Sequence, residues 1–243
     1  VVEHGDYAAL ASNQHTIRQE LPSQRGSMYI HGIGGQAWPL ATNERRYDIS
    51  VIPNRVTDSK GLASALAPLL GLDSNELFEQ IHSDQPYLPP LKTRVDEATA
   101  TQVAALPFKG TLIVPVETRT YPEGDYASLL VGFVNYEGVG AAGLEAQYDD
   151  ALQGKSGTLL GQQDTFGRLV SITGRVKPEA GSSLQLTIDH TIQFLAERQL
   201  AHAMSAYGAS GGSVLVMNPK TGALLAIANQ PSFDPNHFNE VPT

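Results

Sequence analysis

Cysteine is absent from the 243 residues, which excludes disulfides, zinc–thiolate sites and cysteine nucleophiles and leaves the redox compartment open. Cationic residues are scarce: 16 Lys and Arg stand against 25 Asp and Glu, a formal charge of −9. Phosphate backbones are bound through clustered cations, so nucleic acid is not an expected partner. No apolar run approaches the roughly 20 residues that cross a bilayer, and Val1 does not begin a signal peptide. A start at Val1 rather than Met is expected of a trimmed or processed piece. Internal repeats and low-complexity segments are also missing. His4, His15, His31, His82, His190, His202 and His237 show no His-Glu-x-x-His spacing and no accompanying acidic cluster, so neither a metal site nor a cofactor is expected. Gly32, Gly34 and Gly35 lack the Gly-x-Gly-x-x-Gly order and a following helix, which predicts a plain turn rather than a phosphate cradle.

The length suits one large domain or two modest ones. Residues 6–13 read as a short helix, Met28 to Ile30 as a strand, and Tyr47 to Ile52 as a second strand stopped by Pro53. Asp58 caps a helix through Leu70, and Asp73 with Glu76 three residues later forms a capping-box pattern opening a helix to Ile81. A helix from Asp96 to about Leu106 and a β-branched strand from Thr111 to Thr118 complete a small α/β head. Leu144, Tyr148 and Leu152 recur at helical spacing up to Gly154, and strands follow at 157–162, 168–176 and 183–187.

Asp189 then caps an amphipathic helix. Ile192, Leu195, Ala196, Gln199, Leu200, Ala203 and Tyr207 fall on one side as a buried stripe, with His190, Glu197, Arg198 and His202 mostly opposite. Val214 to Met217 and Ala223 to Ala228 flank Asn218-Pro219-Lys220-Thr221-Gly222, a hairpin with Gly222 in the left-handed position. Strands apolar at every residue are expected to be covered on both faces, and one helix covers one face. The other face is left either for the preceding domain or for chain outside these residues.

Several ordered segments carry a resemblance. They are Leu186-Thr187-Ile188-Asp189, Gln193, Glu197, Asn218-Pro219-Lys220-Thr221-Gly222-Ala223-Leu224-Leu225-Ala226 and Pro231-Ser232-Phe233-Asp234-Pro235-Asn236. Upstream stand Arg25-Gly26-Ser27-Met28-Tyr29, Arg119-Thr120-Tyr121-Pro122, Gly143-Leu144-Glu145, Tyr148-Asp149 and Leu152-x-Gly154. Together they resemble the class B penicillin-binding proteins. One departure is Ile30-His31-Gly32-Ile33-Gly34-Gly35, where that family has an Asp-Arg-x-Gly turn.

The resemblance implies an α+β chain: an elongated, β-rich pedestal, or dimerisation domain, over residues 1–185 with the head inserted at about 55–120. Residues 186–243 would be the opening helix and hairpin of a transpeptidase domain. It also implies a membrane anchor upstream of Val1, a place on the extracytoplasmic face, and a role in positioning a peptidoglycan D,D-transpeptidase. Implied partners are other cell-wall synthesis proteins, such as a glycan polymerase, and a second copy. A fragment of an active transpeptidase and a free-standing extracytoplasmic binding domain are the alternatives.

The chemistry of such a transpeptidase needs Ser-x-x-Lys, Ser-x-Asn and Lys-Thr-Gly. No Ser here has Lys at the third following position and no Ser-x-Asn occurs, so no residue of this chain is a catalytic candidate. Lys220-Thr221-Gly222 spells the third motif but lies in a predicted hairpin turn, where Gly supplies positive φ and Lys is solvated. Arg25, next to Gly26, and Glu145, close to Gly143, are long charged side chains in tight surroundings. The resemblance implies that these pieces meet at the base of the pedestal, where a structural ion-pair or hydrogen-bond network of Arg25, Gly26, Glu145 and Arg119 is the expectation; independent surface charges are the alternative.

Overall fold

A computed structural model describes residues 16–83, 85, 88–163 and 169–239. The short helix read at 6–13 lies outside them. In chain order the elements are β1 (Thr16–Leu21), β2 (Met28–His31), β3 (Ala37–Val51), α1 (Ser59–Leu70), α2 (Ser74–Ile81), β4 (Lys92–Val95), α3 (Glu97–Ala104) and β5 (Thr111–Thr120). There follow α4 (Ser128–Val131), α5 (Gly143–Gln147), α6 (Asp149–Gln153), β6 (Gly157–Gln163), β7 (Leu169–Val176), β8 (Leu184–Asp189), α7 (His190–Tyr207), β9 (Gly212–Met217) and β10 (Leu224–Gln230). The described residues form two compact units, one within 43–118 and one within 1–42 and 119–243.

In the unit of residues 43–118, the later part of β3 pairs antiparallel with β4, Tyr47 opposite Val95 and Ile49 opposite Lys92. Three helices start at acidic caps whose carboxylates accept amide hydrogens that the first turn cannot use internally. Asp58 accepts from the Gly61 N–H at 2.8 Å, Asp73 from Asn75 and Glu76 at 2.8 and 3.0 Å, and Asp96 from Thr99 at 2.7 Å. Gly71 closes α1 at φ 64°, ψ 39°, a conformation that costs glycine little. Ile49, Val51, Leu62, Leu66, Leu77, Ile81 and Val103 form its core. Each such side chain contributes about 1.5–3 kcal/mol on burial.

In the other unit, β1, β6 and β7 make a three-stranded antiparallel sheet, from Thr16 opposite Gln162 to Leu21 opposite Gly157. β2 pairs antiparallel with the start of β3 and parallel with β8, Met28 lying beside both Ala41 and Leu184. Met28, Ile30, Leu40, Tyr121, Tyr126, Val131, Leu152 and Ile188 form the core here. β1 and β4 have no counterpart in the sequence reading, and four of the features it did predict differ. β3 begins at Ala37, ten residues before the expected strand. The helix read through Leu144, Tyr148 and Leu152 is broken at Tyr148 into α5 and α6.

The third difference is the rotation of α7. Its buried residues are Gln193, Ala196 and Leu200, whereas Leu195 is 42% and Tyr207 87% exposed and Gln199 is exposed. The fourth is the hairpin. β10 is covered twice: Ala226 and Ala228 pack on α7, while Leu224 and Ile227 pack against the Met28–Ile188 core. β9 turns Val214 and Val216 to α7 and leaves Leu215 and Met217 64% and 55% exposed. Among the described residues that second face of β9 is therefore largely uncovered.

Candidate functional site: a buried arginine–glutamate cluster and its link to the helix and hairpin

Glu145 projects from α5 with no exposed surface and gathers two guanidinium groups separated by 94 positions in the chain. Arg25 meets it twice, Nε at 2.9 Å and Nη2 at 2.8 Å from Oε2, and Arg119 Nε lies 2.6 Å from Oε1. The side chains of Arg25 and Arg119 are 10% and 6% exposed. Paired charges this far from water persist only when their remaining hydrogen-bonding capacity is also used. Arg119 Nη1 donates to the Gly26 carbonyl at 2.8 Å, and Arg25 Nη1 lies 2.7 Å from Asp149, which also accepts the Gly140 amide. Gly26 is required by close approach: a Cβ there would overlap the Ser182 carbonyl oxygen. Its own N–H donates to the Leu152 carbonyl.

Tyr121 extends the cluster. Its hydroxyl lies 3.4 Å from Glu145 and accepts the Val134 amide at 3.0 Å. Burial first, and the Glu145 charge second, push this phenol well above the usual tyrosine value, so it stays a neutral donor. The Tyr121 backbone pairs reciprocally with Asn236: its N–H donates to Oδ1 at 3.0 Å, and Nδ2 donates to its carbonyl at 2.9 Å. Ser232 donates to Asp125 at 3.0 Å, and Phe133 packs on Phe233 and Phe238.

A second polar centre joins α7 to the same segment. Gln193, fully buried, exchanges hydrogen bonds with the Ile227 backbone at 2.8 and 2.7 Å, completing the edge of β10 with a side-chain amide. Its Nε2 also donates to Glu197, whose Oε1 accepts the Ala127 N–H at 2.8 Å. Tyr126 donates to the His190 carbonyl at 2.7 Å. Burial raises the Glu197 carboxyl above the ordinary carboxylate value, more than these hydrogen bonds lower it. Sequence periodicity set Glu197 mostly opposite the buried stripe and assigned Gln193 to neither side; besides each other, their partners are backbone groups remote in sequence, which periodicity does not register.

Lys220, Thr221 and Gly222 lie in the β9–β10 turn. Gly222 has φ 75° and its N–H donates to the Asn218 carbonyl, while the Asn218 side chain accepts the Lys220 amide. Lys220 is exposed. The two polar centres hold segments together.

A family model described as the penicillin-binding protein dimerisation domain matches residues 20–186. The chain belongs to that family. A second model, the penicillin-binding protein transpeptidase domain, matches residues 212–242, the hairpin and the loop that Asn236 anchors. Stage V sporulation protein D of Bacillus subtilis is 29% identical over 206 residues, 83% of this chain and 32% of that protein. The peptidoglycan D,D-transpeptidase FtsI of Escherichia coli K12 is 27% identical over 248 residues, all of this chain and 40% of its own length. The chain thus spans well under half of these penicillin-binding relatives.

Among solved structures, a peptidoglycan synthetase from Bifidobacterium adolescentis superposes with a TM-score of 0.62 at 26% identity, covering 90% of this chain and 45% of that one. The penicillin-binding protein PBP2 of Helicobacter pylori, solved in complex with MreC, shares the fold at a TM-score of 0.65 and 22% identity, covering 92% and 44%. Membership of the family accounts for the α+β architecture with its β-rich body. The cluster residues Arg25, Arg119 and Glu145 all fall within the dimerisation-domain match, and Lys220 to Gly222 within the transpeptidase match.

Proposed function

We propose that this region is the non-catalytic pedestal of a class B penicillin-binding protein together with the first elements of its transpeptidase domain, and that it positions a peptidoglycan D,D-transpeptidase for cell-wall cross-linking. The observation that carries the reading is the packing of the transpeptidase-matching hairpin and loop onto the dimerisation-matching core through Gln193, Glu197 and Asn236. On this reading residues 1–185 are the pedestal, with its head at about 55–120, and 186–243 open the catalytic domain. Arg25, Gly26, Arg119 and Glu145 serve as its internal clamp. The relatives' activity as D,D-transpeptidases supports assigning that reaction to the whole protein.

The whole protein is proposed to be membrane-anchored, with this region on the extracytoplasmic face. No helix among the described residues is long and apolar enough to cross a membrane. Partners are proposed among other cell-wall proteins; the PBP2–MreC complex of a fold relative supports contact of that general kind. A glycan polymerase and a second copy are the finer candidates. A fluorescent β-lactam tests the assignment: the whole protein becomes covalently labelled and the 243-residue chain does not. Covalent labelling of the 243-residue chain would overturn the non-catalytic assignment.

A further inference from the structure

Two residues other than glycine occupy the left-handed backbone region among the described residues, Arg94 at φ 57° and Ala127 at φ 50°. An L side chain is disfavoured there, and such a conformation persists only where its surroundings impose it. The two share one device. Each donates its backbone N–H at 2.8 Å to a carboxylate distant in sequence, Arg94 to Asp48 and Ala127 to Glu197.

The consequences at Ala127 reach further, because it sits in a segment with attachments on several sides. Tyr121 meets Glu145 and Asn236, Asp125 accepts from Ser232, Tyr126 donates to the His190 carbonyl, and Ala127 starts α4. The Val131 amide donates to the Ala127 carbonyl, so the backbone at Ala127 also aims the helix that carries Val131 into the core. Glu197 is fixed by Gln193, which is bonded to β10. A chain of direct contacts therefore runs from the hairpin through Gln193 and Glu197 to Ala127.

We propose that Glu197 is a positioning residue: by accepting the Ala127 amide it holds that residue in the left-handed conformation and so locks residues 121–131 to the α7–hairpin layer. Extending the lock to enzyme output rests on the function proposed above. In the whole protein it then sets the seating of the transpeptidase on the pedestal.

The test pairs substitutions at the two ends of the bond in the 243-residue chain. Glu197→Ala is expected to speed amide exchange at Ala127 by about tenfold or more and to lower the melting midpoint. Glu197→Gln keeps an acceptor oxygen and retains most of the protection. Adding Ala127→Gly to Glu197→Ala restores the midpoint in large part, because glycine adopts positive φ without the carboxylate. Ala127→Gly alone is the reference: the lock requires its gain to be larger in the Glu197→Ala background than in the wild type, whereas a residue that merely packs gives equal gains.

Unchanged exchange at Ala127 in Glu197→Ala, or no recovery in the double variant, overturns the proposal. If Glu197→Ala does not fold, a folded double variant supports it and an unfolded one refutes it. The extension to enzyme output is read separately, as the acylation rate of the whole protein by a fluorescent β-lactam. A slowed rate in Glu197→Ala that Ala127→Gly restores supports it, and an unaltered rate refutes it. A wild-type whole protein that never labels defeats the transpeptidase assignment, while amide exchange still decides the lock.

Discussion

Replacing Glu145 by Ala is the most informative perturbation of the buried cluster, since it removes the one carboxylate shared by Arg25 and Arg119. Both cations stay in place, with side chains 10% and 6% exposed. Breaking a buried pair by deleting one partner costs about 3–5 kcal/mol, because the remaining charge is left without compensation. Here two cations lose that partner at once, although Arg25 retains Asp149 and Arg119 retains the Gly26 carbonyl. A loss of about 4 kcal/mol lowers the folded-to-unfolded ratio by roughly a thousandfold and takes a large share of an ordinary domain's ~5–15 kcal/mol.

Urea unfolding followed by Trp38 fluorescence gives the measurement. Trp38 is the single tryptophan, and its indole donates to Glu123 at 2.8 Å within the same unit as the cluster. Arg25→Ala is expected to cost less, because Glu145 keeps Arg119 and the Tyr121 hydroxyl. The double variant should fall short of the sum by about 0.5–3 kcal/mol, the range for residues in one network. Losses that add to within about 0.5 kcal/mol would show two independent charges and refute the clamp.

Gly26→Ala should cost about 1–3 kcal/mol or more in the same assay, since its Cβ would overlap the Ser182 carbonyl oxygen; a neutral result would discredit that close approach. In the unit of residues 43–118, Leu66→Ala should cost about 2–5 kcal/mol by circular dichroism, as Leu66 has no exposed surface. Lys220→Ala should leave stability within about 0.5 kcal/mol, whereas Gly222→Ala, at φ 75°, should cost about 1–2 kcal/mol. Equal effects at the two positions would contradict the turn reading. The Glu197 carboxyl is raised by burial above 4.5, so ionising it is harder in the fold than in the unfolded chain. Its contribution is therefore fully present below pH 4.5 and lost as pH rises through the raised value. Glu197→Gln should flatten that part of the stability profile, and identical profiles would show that Glu197 does not titrate differently on folding.

Local chemistry was the readable part. Asp58, Asp73, Asp96 and Asp189 each cap the helix that follows through bonds to amides two or three residues away, an interaction complete within a few residues of sequence. Gly222 and the Asn218 turn are equally local. The start of β3 was not readable, because Ala37 to Ala41 owe their extension to pairing with β2 rather than to an alternating pattern. Nor was the rotation of α7: helical spacing shows that an apolar arc exists, but only the position of β10 decides that Ala196 and Leu200 face inward and Leu195 does not.

The sequence by itself determined the starts of the four Asp-capped helices, most of the longer strands, the hairpin turn and a set of ordered segments sufficient for the family. Tertiary structure alone decided that Arg25, Arg119 and Glu145 share one buried site, and that Gln193 and Glu197 turn toward backbone 34 and 70 positions away. The physical reason is range. Caps and turns are closed by neighbours along the chain, whereas a buried charge is tolerated only once distant segments have brought its partners to it.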